Sequence, residues 1–521
     1  MITSAGIYLG LAFACVVWCR WLANDDDVMI DASIYLTTDG APLPVERDTR
    51  PKATSLILVP PFLKHFGGPM AGPAYLKGAG ERAGHTVDGL DLNREWIKER
   101  ITSAHTSGQI KGDHDKPSKE LNRLYQEWQE LCATHWPAPV PANERESRTV
   151  VLYATHQEVI GCAANMAAGS FGEWVRQRLE KAPRPDLVGL SVMFSGQIIA
   201  ALAVTSVIHT VWPGVPVVWG GAHVTALAEP ISKDSAYGEG IDGFVIGYAE
   251  KTWVELLDAV ASHNPWPKEV FKAGTSSQRA KEDGTTVPAF DLSSYGQGSL
   301  TLPVQASRGC AYGKCSFCTY PKIEGKHRKL SMAALEPVIE QASARGAVLS
   351  FKDSLLVPNQ LRDVGAIIKG RVMWSACTKL HSSFDTETLG RLHGEGLRTL
   401  EIGLETLDEA SQGIINKPQS PALLRSFLDA AAVAGVAIVI NYMTGLPGAD
   451  AGEEQHWLEV VRAEVAARPT LKAMIEHNTF QLEMISPMGL NPSAYGIEIE
   501  QRWPWSSLLE YRISKPSTLA A

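Results

Sequence analysis

Ser307–Tyr320 reads SRGCAYGKCSFCTY and gathers Cys310, Cys315 and Cys318 within nine residues. A short cysteine cluster inside a long chain is a metal site far more often than a disulfide framework. The count of three is informative. Structural zinc sites and electron-transfer clusters fill their coordination positions with protein ligands. A cuboidal 4Fe–4S cluster held by three cysteines instead keeps one iron open to a small molecule. Phe317 and Tyr320 flank Cys318 and are the candidates to pack beside that molecule. A zinc site of three cysteines completed by a distant His is the competing reading.

Around this loop lies a chain of 521 residues, 45% hydrophobic, with a formal charge of −9. That length accommodates two or three domains. No Lys/Arg-rich run appears, which disfavours a nucleic-acid substrate. Cys15, Cys19, Cys132, Cys162 and Cys377 are scattered, as reduced thiols in a cytoplasm are, and an oxygen-sensitive cluster would need that compartment. Ile2–Cys19 is uncharged, mostly apolar and just long enough to reach across a bilayer. It has neither the positive n-region nor the small-residue cleavage site of a signal peptide. For the segment 1–50, a membrane anchor and a buried helix are both open readings.

From residue 51 to 264 strand and helix alternate. Leu56-Ile57-Leu58-Val59 is a short apolar run stopped by Pro60-Pro61 and reads as a buried strand. Further strands are predicted over Thr86–Asp91, Asp186–Val192, Val215–Trp219 and Gly243–Ile246. Helices are predicted over Ala74–Ala83, Gln197–His209 and Lys251–Ala261, and Asn93 to about Pro141 is a polar, Trp-containing helical insertion. This alternation predicts a doubly wound α/β domain. Its ligand would bind at the carboxyl ends of the strands, where glycines let backbone approach closely.

Pro265–Ser299 has little apolar pattern and reads as a linker, although Trp266 and the segment Pro288–Tyr295 (PAFDLSSY) are suited to pack down. A second βα series begins at Leu302, with the cysteine loop directly after its first strand. Ser331 is read as the N-cap of a helix reaching Arg345. Strands are predicted over Ala347–Lys352, Val372–Ala376, Thr399–Gly403 and Ala437–Met443, and a last one near Phe480–Ile485. Roughly six βα units over 300–490 make a partial (β/α)6 barrel with its site at the strand carboxyl ends. Residues 491–521 remain as a C-terminal tail.

The cysteine loop resembles that of the radical S-adenosylmethionine (radical SAM) superfamily, in which the methionine end of SAM chelates the open iron. The usual spacing there is CxxxCxxC. Here it is CxxxxCxxC, one residue longer before Cys315, as in parts of the superfamily. The N-terminal stretches VPPF…GPAYLKGAGERAGHTVDGLDLN, DLVGLSV, VVWGGAHVTA and DGFVIGYAE are similar, in order and spacing, to the cobalamin-binding domain of cobalamin-dependent radical SAM enzymes. The resemblance implies that Ser191, Ser195, Gly220, Gly221 and His223 surround the corrin and its nucleotide tail. Of the corrin-binding DxHxxG motif only His65 and Gly68 match, with Leu63 in place of the Asp, so His65 is expected near the pocket rather than on cobalt. In the second domain the resemblance implies that Asp353 holds the α-amino group of SAM. It puts Glu405, in Gly403-Leu404-Glu405-Thr406, near the ribose hydroxyls, and makes Gly445 open the Gly445–Gly448 turn that supports the adenosine. Lys417 matches a common element of unassigned role, and Lys379 stands where relatives often have Arg. Singly these are weak signals, since an acid after a strand is often a cap and GLPG is a common turn. Their order after the cysteine loop gives them weight.

The resemblance thus implies a Rossmann-like cobalamin-binding domain followed by a radical SAM barrel, with a 4Fe–4S cluster, SAM and cobalamin as cofactors. The expected reaction is C-methylation of an unactivated carbon in a natural-product or peptide precursor. A 5′-deoxyadenosyl radical would take hydrogen from the substrate, and methylcobalamin would supply the methyl group. Ser486–Ile497 (SPMGLNPSAYGI) is reminiscent of enzymes that modify ribosomally made peptides. The expected partners are a small-molecule or peptide substrate and a flavodoxin- or ferredoxin-type reductant. Two alternatives stay open: a non-methylating rearrangement or cyclisation with the same cofactors, and a non-catalytic metal-binding module. Cys377 is read as a core cysteine ahead of a hydrogen donor, and Trp503 and Trp505 as packing or pocket residues.

Overall fold

A computed structural model of the chain describes residues 51–62, 68–106, 117–293, 295 and 300–514. The N-terminal segment 1–50 and His65 lie outside them.

The N-terminal domain is a five-stranded parallel sheet of β1 (Thr54–Val59), β2 (Thr86–Asp91), β3 (Leu187–Ser191), β4 (Val217–Gly220) and β5 (Gly243–Phe244). The order is β2-β1-β3-β4-β5, as expected for a doubly wound fold. β1 is buried along all but its first residue, and β3 along its whole length, because helices cover both faces. α1 (Ala71–Arg82) crosses from β1 to β2, and the long crossover to β3 carries the insertion as α2 (Leu92–Thr106), α3 (Pro117–His135), α4 (His156–Ala168) and α5 (Ser170–Leu179). These helices bury aromatic rings edge to face: Trp96 meets Trp128 at 5.8 Å and Trp174 at 5.1 Å. α4 begins at a capping box, in which Thr155 accepts from the Glu158 amide and the Glu158 carboxylate accepts from the Thr155 amide. α6 (Ile198–Val211) and α7 (Glu250–Ala261) complete the domain.

The segment after α7 is irregular but pinned along its course. Phe271 bridges Phe244, Arg279 bridges Ile246, and Tyr295 donates to Asp91 at 3.1 Å. At Gly78 of α1 an added Cβ would lie 2.0 Å from the Val287 carbonyl oxygen, so only glycine admits this strap so close to the helix.

The second domain is an open parallel barrel of β6 (Thr301–Val304), β7 (Val348–Phe351), β8 (Trp374–Thr378), β9 (Leu397–Glu405), β10 (Ala437–Thr444) and β11 (Ala473–Thr479). The strands are paired in that order, with β6 and β11 as free edges. The last strand differs from expectation: it is Ala473–Thr479 (AMIEHNT), not Phe480–Ile485. As an edge strand of half-buried residues, β11 needs no apolar run. Phe480, Leu482 and Met484 are buried for another reason, because they belong to an apolar cluster shared with the N-terminal domain. The tail forms a hairpin of β12 (Ile497–Arg502) and β13 (Leu509–Ile513). Its Trp505 is 1% exposed and sits in the same cluster as Trp219 and Tyr237.

Candidate functional site

The cysteine loop leaves β6 through Gln305–Gly309, a stem tied on every side. Asp353, at the end of β7, is 2% exposed, and its carboxylate accepts from the Ser307 hydroxyl at 2.7 Å, the Ser307 amide at 2.5 Å and the Ala306 amide at 3.1 Å. Burial outweighs these donors and raises its pKa to about 7. Its oxygens hold the loop stem. Gly309 donates to Glu324 at 2.8 Å. Farther along, the Ser316 hydroxyl donates to the Ile414 carbonyl at 2.7 Å and the Ser316 amide to the Ile415 carbonyl at 3.0 Å. Tyr312 donates to the Asn416 carbonyl at 2.7 Å.

Between these anchors Cys310, Cys315 and Cys318 are half-buried free thiols. Burial pushes Cys315 up to about 11, against the opposing pull of the Lys417 ammonium, and Cys318 up to about 12. Cys315 feels the charge of Cys310, and Cys318 that of both, so the three lie near one another. Among the described residues no set of His, Cys, Asp or Glu is drawn tightly enough to hold a single metal ion. The donor set fits a cluster carried by one loop: three thiols, and the Lys417 cation to offset the negative charge that thiolates bring. Phe317 packs on the apolar cluster between the domains, and Tyr320 is 38% exposed at the start of the helical turn Tyr320–Ile323.

The barrel strands add an inner polar face. Glu405 ends β9 with φ +64°, beyond a register shift at Gly403, and pairs with Lys417 at 2.8 Å. Burial opposes the charge of Lys417, but Glu405, Cys315 and Cys318 outweigh it and leave its pKa above the ordinary lysine value. Gly445 has φ +78° and donates to Glu454 at 2.7 Å, while Leu446 donates to the same carboxylate at 3.0 Å, so Glu454 sets the turn. The sequence reading missed Glu401, which faces Cys377 in register and accepts from Asn441 at 2.7 Å. Burial raises its pKa despite that bond and the nearby Lys352, and Glu476 is raised by burial and by Glu401. The signal was present: Glu401, Gly403 and Glu405 share one face of a strand by their spacing.

In the N-terminal domain, Ser191 closes β3, Ser195 follows in a single helical turn, and Gly220 closes β4, all at one carboxyl edge. Gly221 has φ +112°, and an added Cβ would lie 2.3 Å from the Val192 carbonyl oxygen, so the edge is cut to backbone width there. Hydroxyls and side-chain-free backbone gathered at one carboxyl edge are what main-chain approach to a large ligand needs. His223 is engaged by its own chain. It is 3% exposed, its Nε2 contacts the Trp505 carbonyl at 3.0 Å, and burial lowers its pKa to about 4. It anchors the tail. Gln197, also missed, accepts from the Met193 amide at 2.8 Å and donates to the Pro60 carbonyl at 2.7 Å, which locks the Ser195 loop to the end of β1.

Comparison with known proteins agrees with this division. A B12 binding domain matches residues 151–257 and the radical SAM superfamily matches residues 304–460. No curated protein matches the sequence. Among solved structures, the fold is similar to the radical S-adenosylmethionine methyltransferase TsrM from Kitasatospora setae, solved with cobalamin and a 4Fe–4S cluster bound. The TM-score is 0.58 at 15% identity, over 87% of this chain and 78% of that one. It is also similar to the cobalamin-dependent S-adenosylmethionine radical enzyme OxsB, solved with aqua-cobalamin and S-adenosylmethionine, with a TM-score of 0.57 at 12% identity. That match covers 88% of this chain and 64% of OxsB. Cobalamin and SAM are thus the ligands after which the two matched domains are named. The chain thus carries a B12-binding domain and, after it, a radical SAM domain.

Proposed function

We propose that this protein is a cytoplasmic C-methyltransferase acting on an unactivated carbon of a natural-product or peptide precursor. The observation that supports this most is the contact of the two edges. Tyr248 and Glu250, just past β5, touch Arg308, two residues before Cys310. One interface therefore faces both the cluster loop and the carboxyl edge of the B12-binding sheet.

Cys310, Cys315 and Cys318 would hold a 4Fe–4S cluster with SAM on its open iron, while Ser191, Ser195, Gly220 and Gly221 would line the cobalamin cleft. When bound, these groups would supply a 5′-deoxyadenosyl radical and a transferable methyl group. The chain's own part is to aim and to exclude water. Phe317 and the shared apolar cluster dry the wall between the two edges. Glu405, held by Lys417, and the turn at Gly445 offer an acceptor and a flat backbone edge to the nucleoside part of SAM. Glu401, Asn441 and Glu476 line the barrel interior, where hydrogen-bond donors of a substrate would be met by acceptors. A reductant of flavodoxin or ferredoxin type would supply electrons. TsrM has also been solved with a tryptophan substrate, so tryptophan-containing peptides belong in the first substrate screen.

The test is anaerobic reconstitution with iron, sulfide and hydroxocobalamin, followed by assay of 5′-deoxyadenosine and S-adenosylhomocysteine. Cobalamin retained on desalting, with both products formed and both lost in Cys315→Ala, is the expected result. 5′-Deoxyadenosine alone would point to a rearrangement instead. A fully loaded cluster that cleaves no SAM, in a chain that retains no cobalamin, would overturn the reading.

A further inference from the structure

The stem of the cysteine loop contains a fully buried charge that no cofactor role calls for. Arg308 is 0% exposed and lies against Glu250, 2% exposed, the first residue of α7. Nη2 donates to one carboxylate oxygen of Glu250, and Nη1 to the other at 3.1 Å, which makes a two-pronged pair. Nη1 also reaches Glu282 of the strap at 3.1 Å, and Nε reaches Gln305 at 3.4 Å. The Tyr248 ring covers the guanidinium face at 3.8 Å, and the Tyr248 hydroxyl accepts from Gln305 Nε2 at 2.8 Å. The B12-binding domain, the strap and the barrel thus meet on one side chain.

A buried ion pair adds little net stability over apolar residues of the same shape, because desolvation cancels most of the attraction. What such a pair does supply is a fixed register: a planar fork matched to a carboxylate accepts one orientation only. We propose that Arg308 and Glu250 are positioning residues, a pin by which the B12-binding domain sets the place of the Cys310 arm relative to its own cofactor edge. Hydrogen transfer and methyl transfer both need reacting atoms brought to about 3–3.5 Å. Two cofactors on separate domains meet that demand only if the domains are keyed near the reacting end. The pin stands two residues from Cys310 and two residues after Tyr248. Thr225 ties that loop to the glycine pair, accepting from the Gly247 amide and donating to the Gly221 carbonyl, both at 2.9 Å. The inference needs only the two domains and holds whichever reaction they run.

The test uses the full chain without cofactors, read by amide hydrogen exchange, and then the reconstituted protein, read by cluster absorbance and midpoint potential. Glu250→Gln keeps the shape of the side chain and removes its charge. It is expected to speed exchange across residues 305–318 at least about tenfold while peptides from β1, β3 and β10 stay as in the parent. The cluster potential is expected to shift with it. Glu255→Gln, which loses an exposed pair with Lys281 on the same helix, is the control and leaves both readings unchanged. If Glu250→Gln does not fold, Arg308→Lys, which keeps the charge but not the fork, is judged by the same criterion. Unchanged exchange at 305–318, or equal acceleration throughout both domains, would overturn the proposal. Neither result depends on methyl transfer, so failure of the pin and failure of the proposed reaction are separable.

Discussion

Glu405 keeps a left-handed backbone that a side chain other than glycine adopts at a cost of order 1 kcal/mol or more. Lys417 sits against it with both side chains largely buried, at 11% and 14% exposure. Lys417→Met leaves that carboxylate without its counter-charge and is expected to lower unfolding stability by about 3 kcal/mol. A urea titration showing a loss under about 1 kcal/mol would mean that water already serves Glu405. Asp353 carries a pH signature. Its folded pKa, raised to about 7 from 3.8, makes the folded chain bind more protons than the unfolded one between those values. Stability therefore falls as pH rises through that window. Asp353→Asn keeps an acceptor for Ser307 and removes the slope, so the parent should lose stability relative to the variant from the acid to the neutral end. Parallel curves would refute this. Spacing and chain order single out the cysteines and Glu405 in the sequence. The intrachain partners of Asp353 and His223 were not legible, because a strand-end acid and a helix-start histidine look alike whether they face a ligand or their own chain.

At the scale of elements, the hairpin of β12 and β13 depends on one tryptophan. Trp505 stacks on His156 at 5.5 Å and meets Tyr237 edge to face at 4.7 Å, while His223 contacts its carbonyl. Trp505→Ala is expected to cost about 3–5 kcal/mol and to make residues 491–514 the first site of proteolysis. Cleavage elsewhere first would show that the hairpin is held by other contacts. The His223 pKa, lowered to about 4 from 6.5, means that the unfolded chain takes up a proton the folded one refuses, so stability falls as pH drops through that range. Acidification should release the hairpin, seen as a change in tryptophan emission, and His223→Gln should suppress the change. The parallel strands were readable as apolar runs bounded by Gly and Pro. In the strap only Trp266 and Pro288–Tyr295 stood out as able to pack down, and the hairpin was not legible, because its residues are buried by the other domain and no local period records a partner hundreds of residues away.

Across the whole molecule one apolar cluster runs from Leu58, Trp128 and Trp219 to Ile415, Phe480 and Trp505, so the two domains share a core rather than touch at a rim. Unfolding in denaturant is expected to be a single transition, with far-ultraviolet signal and tryptophan emission coincident. Two separated transitions would mean the shared cluster does not couple them. The order in which the chain is made gives this cluster another meaning. A ribosome delivers β1 to β5 long before Trp505, and domains ordinarily fold as they emerge. Here the sheet emerges with the apolar socket of Trp219 and Tyr237 bare, well before Trp505 is made to fill it. Until Trp505 follows, that socket stays open on the nascent sheet, so the first domain is completed by a distant part of the chain rather than by its own residues.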